Sequence, residues 1–201
     1  MFPDVSLADA DGLIAVGGDL SVETLLTAYR SGIFPWFSGK IPHWYSPDPR
    51  FVLFPKDLKV SKSMKQVIRS GKFAFSRNKD FNQVITNCSS VGRPGQWGTW
   101  ITKDMIKAYN TLHQQGYAES AEAWLNGQLV GGLYGIRVGK VFCGESMFSY
   151  ASNASKFALI TLVGELIKEG IELIDCQIHT EHLESLGAYM IPRSDYLSYL
   201  S

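Results

Sequence analysis

The chain has 201 residues, 45% hydrophobic and 19% charged, which predicts a globular protein and excludes a disordered or fibrous one. The apolar stretches are too short to span a bilayer, and the start at Met1-Phe2-Pro3-Asp4 lacks the regions of a signal peptide. The cysteines, Cys88, Cys143 and Cys176, form no C-x-x-C pair, so neither a zinc site nor a disulfide framework is indicated. We therefore expect a protein of the reducing cytoplasm, without a membrane partner.

The formal net charge is zero, but the charges are unevenly distributed along the chain. Residues 56–79 contain eight basic side chains and one acid, a net of +7, so the remainder carries −7. This asymmetry predicts a local basic patch suited to an anionic partner. The alternative is an ordinary solvated helix face.

In the N-terminal half, apolar periodicity and capping residues predict three short helices, at 21–31, 61–70 and 80–88. Residues 32–50 are dense in proline and aromatic residues, which excludes a regular helix and indicates a rigid connector. In the second helix, one face carries three cations, Lys62, Lys65 and Arg69.

The C-terminal half begins with a predicted loop at 92–98, and then alternates helices and strands. The predicted helices are 102–115, 154–169, 180–186 and one from Ser194; the predicted strands are 118–125, 128–138, 141–148, 171–178 and 188–192. An antiparallel meander, a crossover helix and a parallel strand give a mixed sheet with helices on both faces. This α+β order is that of the acetyltransferase-like (GNAT) fold. We expect a monomer with a small N-terminal domain at 1–55 and this fold at 56–201.

Acetyltransferases of this fold that use acetyl-CoA have a glycine-containing loop before the crossover helix, whose backbone N–H groups hold pyrophosphate. The corresponding segment here, Tyr150–Lys156, contains no glycine. The sequence therefore predicts an acyltransferase-like fold that lacks a CoA site. A CoA-dependent small-molecule acyltransferase remains as an alternative.

Seven sequence blocks resemble the leucyl/phenylalanyl-tRNA–protein transferase family, in the family's order and over nearly the whole chain. The blocks are Gly12–Leu20, Gly32–Phe37, Trp44–Arg50, Gly144–Ser149, Asn153–Lys156, Ile174–Gln177 and Ser185–Ala188. The resemblance implies transfer of Leu or Phe, and Met less well, from aminoacyl-tRNA to an N-terminal Arg or Lys. This tags the acceptor protein for degradation in the N-end rule pathway. A further alternative is a protein that binds RNA or protein N-termini without turnover.

No cofactor is implied by the resemblance, because the aminoacyl ester is already activated. Metal binding is not indicated either, since His179 and His182 have no third ligand at a suitable spacing.

Three residues are expected to serve catalysis. Asp175 and Gln177 lie two apart in one predicted strand and therefore share a face. By resemblance they form a proton relay, in which Gln177 accepts a hydrogen bond from the attacking α-ammonium and Asp175 accepts one from the Gln177 side-chain amide. Glu145 is expected near the reacting groups. The alternatives are that Asp175 only ties down a neighbouring strand and that Glu145 is a satisfied strand carboxylate.

Substrate-binding residues are likewise implied by resemblance. The expected amino-acid pocket comprises Leu133, Phe142, Met147, Leu159, Leu162 and Ile174; each on its own is also compatible with plain core packing. Trp36 and Trp100 are expected to stack on the 3′ adenosine. The expected contacts to tRNA phosphates come from four cations, Lys62, Lys65, Arg69 and Lys72.

Overall fold

The computed structural model describes residues 1–91 and 100–200. The strands are β1 (Leu13–Val16), β2 (Phe34–Pro35), β3 (His43–Tyr45), β4 (Arg50–Leu53), β5 (Ala74–Arg77), β6 (Ala118–Leu125), β7 (Gln128–Val138), β8 (Val141–Ser149), β9 (Leu173–Gln177) and β10 (Tyr189–Ile191). The helices are α1 (Val22–Arg30), α2 (Lys62–Arg69), α3 (Phe81–Ser90), α4 (Lys103–Gln114), α5 (Ala154–Lys168), α6 (Glu181–Glu184) and α7 (Arg193–Leu197). The loop predicted at 92–98 lies outside the described residues.

Five of the α-helices begin at residues whose side chains accept a hydrogen bond from a backbone N–H in the first turn. These N-caps are Ser21, Ser61, Asp80, Thr102 and Thr180. An N-cap of this kind satisfies one of the N–H groups that a helix start leaves unpaired. The helices predicted at 21–31, 61–70, 80–88 and 102–115 are therefore confirmed, with ends that differ by no more than two residues.

The main sheet has seven strands in the order β10-β4-β9-β8-β7-β6-β5. Adjacent strands in this sheet are antiparallel except β8 and β9, which are parallel and connected through α5. The predicted meander, crossover helix and parallel strand are thus confirmed. A separate three-stranded sheet, β1-β3-β2, lies in the N-terminal part.

Helices cover both faces of the main sheet and form two cores. One core joins α1, α3 and α4 to sheet residues such as Tyr134 and Cys143. The other joins α2 and α5 to sheet residues such as Leu133 and Phe142. The expected α+β architecture, a mixed sheet with helices on both faces and a small N-terminal part, is confirmed. Among the described residues, no helix combines the length and apolar character needed to cross a bilayer.

The interpretation of residues 32–50 as a connector is wrong in part, because β2 and β3 form within it and β4 begins at its end. Strand β5, at 74–77, was also not predicted. These strands have two to four residues, too few to show an alternating pattern. Strand β4 belongs to the main sheet although it precedes the boundary expected at residue 55, and the division into domains stays a prediction.

Candidate active site

The candidate site lies where the two parallel strands of the main sheet separate. β8 and β9 pair from Val141 and Leu173 to Cys143 and Asp175, and no further. A cavity of about 770 Å³ opens at this point. Residues immediately after the last pair, including Glu145 and Gln177, line it. The strand ends therefore deliver polar side chains into an opening within the sheet.

Irregularities in both strands occur at the level of this opening. On β7, Tyr134 and Gly135 pair with Ser146 and Gly144, so Glu145 is an extra residue without a partner in the ladder. On β4, Phe51 and Val52 pair with Gln177 and Asp175, which leaves Cys176 as the extra residue of β9. Such β-bulges bend a strand and redirect a side chain. Here they act on the residues that face the cavity.

Asp175 is fully buried and ion-paired with Arg50 of the adjacent strand β4. Arg50 donates from Nε to Oδ1 over 2.8 Å and from Nη2 to Oδ2 over 2.7 Å. Asp175 also accepts from the Tyr196 hydroxyl at 3.0 Å and from the Gln177 backbone N–H at 2.9 Å. Burial is the largest single effect and opposes the charge of Arg50, but Asp175, together with Tyr196 and Cys143, outweighs it, so the guanidinium pKa is raised above its ordinary value. The expected alternative role of Asp175, tying down a neighbouring strand, agrees with these contacts.

Gln177 occupies a strained turn and makes a different contact from the one expected. Its φ is +65°, in the left-handed region, and the N–H of Ile178 donates to the carbonyl of Cys176 over 2.7 Å. A hydrogen bond across one residue with positive φ is a γ-turn of the rare, strained kind. The Gln177 side-chain amide donates to Glu145 over 2.7 Å rather than to Asp175. The expected hydrogen bond from the Gln177 side chain to Asp175 is therefore wrong. Arg50 donates to both carboxylate oxygens of Asp175, and the turn directs the Gln177 amide towards β8.

Glu145 receives hydrogen bonds on both carboxylate oxygens. Gln177 donates to Oε1, and the hydroxyl of Tyr109 donates to Oε2 over 3.1 Å. The Tyr109 hydroxyl also shares a 2.5 Å hydrogen bond with that of Tyr29, which links α4 to α1. Burial raises the pKa of the Glu145 carboxyl to about 7, against the opposing effect of these hydrogen bonds. Near neutral pH this carboxyl is therefore divided between its neutral and charged forms.

Two family models match the sequence. A family model described as leucyl/phenylalanyl-tRNA protein transferase matches residues 52–201, and the model for that protein's N-terminal domain matches residues 18–48.

The chain belongs to the leucyl/phenylalanyl-tRNA–protein transferase family.

Two relatives named leucyl/phenylalanyl-tRNA–protein transferase illustrate the similarity. The protein from Christiangramia forsetii is 56% identical over 202 residues, covering 99% of this chain and 95% of the relative. The protein from Flavobacterium johnsoniae is 54% identical over 200 residues, covering 99% and 94%.

Solved structures resemble the chain more distantly. A predicted acetyltransferase with acetyl-CoA from Clostridium acetobutylicum has a TM-score of 0.39 and 12% identity, covering 55% of this chain and 82% of its own. L-PGS from Bacillus licheniformis has a TM-score of 0.41 and 13% identity, covering 81% and 55%.

In this member of the transferase family, most residues of the expected amino-acid pocket line the cavity. They are Leu133, Phe142, Met147, Leu159 and Ile174. Leu162 is not among the residues that line the cavity, and its assignment to the pocket stays a prediction. It lies about one turn beyond Leu159 on α5 and is buried in the core between α5 and the sheet.

Both tryptophans that the family resemblance indicated line the cavity. Trp36 is 36% exposed and meets the Tyr45 ring edge-on at 5.5 Å between centroids. Trp100 follows the segment that the structure does not describe. Their role in stacking stays a prediction.

The four expected phosphate contacts are all exposed: Lys62, Lys65, Arg69 and Lys72. Within α2, Met64 is buried while Lys65 and Arg69 face solvent, as the helical pattern predicted. His179 contacts Glu184 at 2.9 Å. Among the described residues, no group of three or more His, Cys, Asp or Glu is arranged to hold a metal ion.

The sequence did not indicate four residues that contact the catalytic candidates: Arg50, Tyr29, Tyr109 and Tyr196. Tyr29 makes its contact through Tyr109, and the other three contact the candidates directly. One signal for Arg50 was available. It precedes the apolar run Phe51-Val52-Leu53-Phe54, and a cation buried in such a strand requires an acidic partner. The tyrosines sit on apolar helix faces, where an aromatic residue is normally read as core.

Proposed function

We propose that this chain transfers Leu or Phe, and Met less well, from aminoacyl-tRNA to the N-terminal Arg or Lys of acceptor proteins. The transfer tags the acceptor for degradation by the N-end rule pathway. The observation that carries the proposal is an apolar cavity that contains a polar pair, Glu145 and Gln177, in a chain that matches one transferase family over residues 18–48 and 52–201. The reaction belongs to the cytoplasm, where charged tRNAs occur, and we expect a monomer to carry it out.

In this reaction the α-amine of the acceptor attacks the ester carbonyl of the aminoacyl-tRNA. The new C–N bond forms, the bond to the tRNA 3′ oxygen breaks, and the proton lost by the amine is finally taken by that oxygen. The ester supplies the activation, so the protein has to position the amine and assist its deprotonation.

Gln177 is suited to hold the amine. Its side-chain N–H is committed to Glu145, which fixes the orientation of the amide. Among the described residues, none donates a hydrogen bond to its side-chain oxygen, which is left to accept one from the amine. Glu145 adds a nearby carboxylate that favours the positively charged acceptor. Asp175 acts on this pair through the backbone of Gln177 rather than by contact with the substrate.

The apolar cavity wall is suited to the side chain of the transferred amino acid. A pocket without polar atoms binds Leu and Phe and gives a polar side chain no partner. Met147 lines this wall, and its flexible thioether can adapt to a flat ring or to a branched aliphatic group.

The tRNA is held by two further elements in this proposal. Trp36 and Trp100 at the cavity are suited to stack on the terminal adenosine. The exposed cations of α2, with Lys72, are suited to bind phosphates of the acceptor stem, and such contacts tolerate different tRNA sequences.

The test is incubation of the purified protein with Leu-tRNA and a peptide that begins with Arg. We expect a peptide extended by Leu at its N-terminus, and no extension of the same peptide beginning with Asp. Failure to extend the Arg peptide would refute the proposal. A parallel sample with acetyl-CoA tests the alternative, since a CoA enzyme would be stabilised against heat by that ligand.

A further inference from the structure

Arg50 is a charged side chain that is 1% exposed and does not line the cavity. We infer that Arg50 is a positioning residue for aminoacyl transfer. Through Asp175, it holds Gln177 in the strained turn that directs the Gln177 amide to Glu145. This inference rests on the proposed function.

Arg50 holds Asp175 in a fixed orientation. The guanidinium forms a two-pronged ion pair, with N–O distances of 2.8 and 2.7 Å. The rings of Phe34 and Tyr196 lie 4.7 and 4.6 Å from the guanidinium carbon, and Nη1 donates to the carbonyl of Gly32. A planar fork held in this way fixes the orientation of a carboxylate as well as its charge.

The acceptor positions of Asp175 are filled by hydrogen bonds from the protein. Each of its oxygens accepts two hydrogen bonds: Oδ1 from Arg50 and the Gln177 backbone, and Oδ2 from Arg50 and Tyr196. A carboxylate has about four such acceptor positions. Asp175 is also fully buried. It is therefore saturated by protein donors, and the backbone N–H of Gln177 is its link to the reacting groups.

The turn at Gln177 depends on its contact with Asp175. A residue other than glycine is disfavoured at φ +65°, so the surrounding structure must hold Gln177 there. The hydrogen bond from its N–H to Asp175 provides that hold, next to the bulge at Cys176. If the fork of Arg50 is loosened, Asp175 can rotate and the turn can relax. The Gln177 amide would then lose its alignment with Glu145.

The competing explanation is that Arg50 only stabilises the sheet. The two explanations differ in one measurable respect. If Arg50 acts through Gln177, its replacement has little further effect once the Gln177 side chain is gone. If Arg50 only stabilises the sheet, its replacement lowers the rate by the same factor with or without that side chain.

The experiment measures the single-turnover rate of Leu transfer to an Arg-starting peptide for wild type, Arg50→Lys, Gln177→Ala and the double variant. Arg50→Lys keeps the charge that Asp175 needs but removes the fork. Misalignment at a reacting centre costs roughly 100-fold, so we expect losses of that order from each single change. Adding Arg50→Lys to Gln177→Ala should lower the transfer rate by less than about threefold.

Arg137→Lys is the matched control, because Arg137 also forms ion pairs on the main sheet, with Glu119 and Glu169, but does not line the cavity. It should retain the wild-type rate. Tyr196→Phe is a milder second probe, since it removes one donor to Asp175 and keeps the ring beside Arg50. The smaller loss of transfer rate in Tyr196→Phe should also disappear in the Gln177→Ala background. This comparison tests the inference if Arg50→Lys does not fold.

The inference would be overturned if Arg50→Lys, or Tyr196→Phe where the first does not fold, lowers the rate by the same factor in the wild-type and Gln177→Ala backgrounds. A wild-type rate in Arg50→Lys would also overturn it. A wild-type protein that transfers no Leu would instead refute the proposed function. The two failures are therefore distinguishable.

Discussion

Glu145→Gln should stabilise the protein at alkaline pH and leave its stability nearly unchanged at acidic pH. Burial raises the pKa of the Glu145 carboxyl from 4.5 to about 7, so the folded protein binds this proton more tightly than the unfolded chain. Stability therefore falls as the pH rises through the window from 4.5 to 7. One pKa unit corresponds to about 1.4 kcal/mol, so the charged carboxylate costs the folded state about 3 kcal/mol above this window. Glutamine has a similar shape and carries no such charge.

The assay is thermal unfolding of both proteins at pH 5 and at pH 8.5. For a chain of this length, about 1 kcal/mol shifts the melting temperature by roughly 2–4 °C. We expect the variant to melt roughly 6–12 °C above wild type at pH 8.5 and close to wild type at pH 5. Glu172→Gln, at an exposed surface ion pair, is the control and should show no such pH-dependent gain. A difference that is the same at both pH values would refute the reasoning about Glu145.

Three further predictions concern the substrate contacts. Reversing the charges of Lys65 and Arg69 should weaken the use of Leu-tRNA and reduce the slope of log affinity against log salt concentration by about 1 per lost phosphate contact. Lys168→Glu, elsewhere on the surface, is the control. An unchanged slope would exclude a role of these cations in binding tRNA phosphates. Met147→Phe should fill part of the cavity and lower transfer of Phe at least about tenfold more than transfer of Leu, which competition between the two charged tRNAs would measure. Trp36→Ala should raise the KM for aminoacyl-tRNA roughly tenfold, whereas Trp36→Phe keeps a ring and most of the affinity; equal effects would argue against stacking.

Much of the fold could be predicted from local signals in the sequence. Strands β6 and β7 were predicted with the observed bounds, because the turn at Asn126-Gly127 and the alternation beside it are strong. The N-caps and apolar periodicity likewise located the longer helices. Strands β2 and β3 were not predicted, since prolines and aromatics in short segments leave no alternating pattern, and their pairing depends on other parts of the chain.

The candidate site was predictable by residue but not by contact. The resemblance supplied Asp175, Gln177 and Glu145, and the structure brings them to one cavity. Their connections depend on distant pairings, such as Arg50 with Asp175, which lie 125 residues apart. The bulge that redirects Glu145 depends on the register between two strands, which local patterns do not determine. For this reason the expected relay contact was wrong while the residues themselves were found at the cavity.

We propose above all that the Glu145–Gln177 pair, where β8 and β9 separate, carries out aminoacyl transfer. The most direct test is the single-turnover rate of peptide-bond formation between Leu-tRNA and an Arg-starting peptide in Gln177→Ala. Gln115→Ala, at the exposed end of α4, is the control. We predict a roughly 100-fold lower rate with nearly unchanged tRNA affinity, because the amine loses its acceptor while the tRNA contacts remain. A folded Gln177→Ala protein that transfers Leu at the wild-type rate would contradict the account.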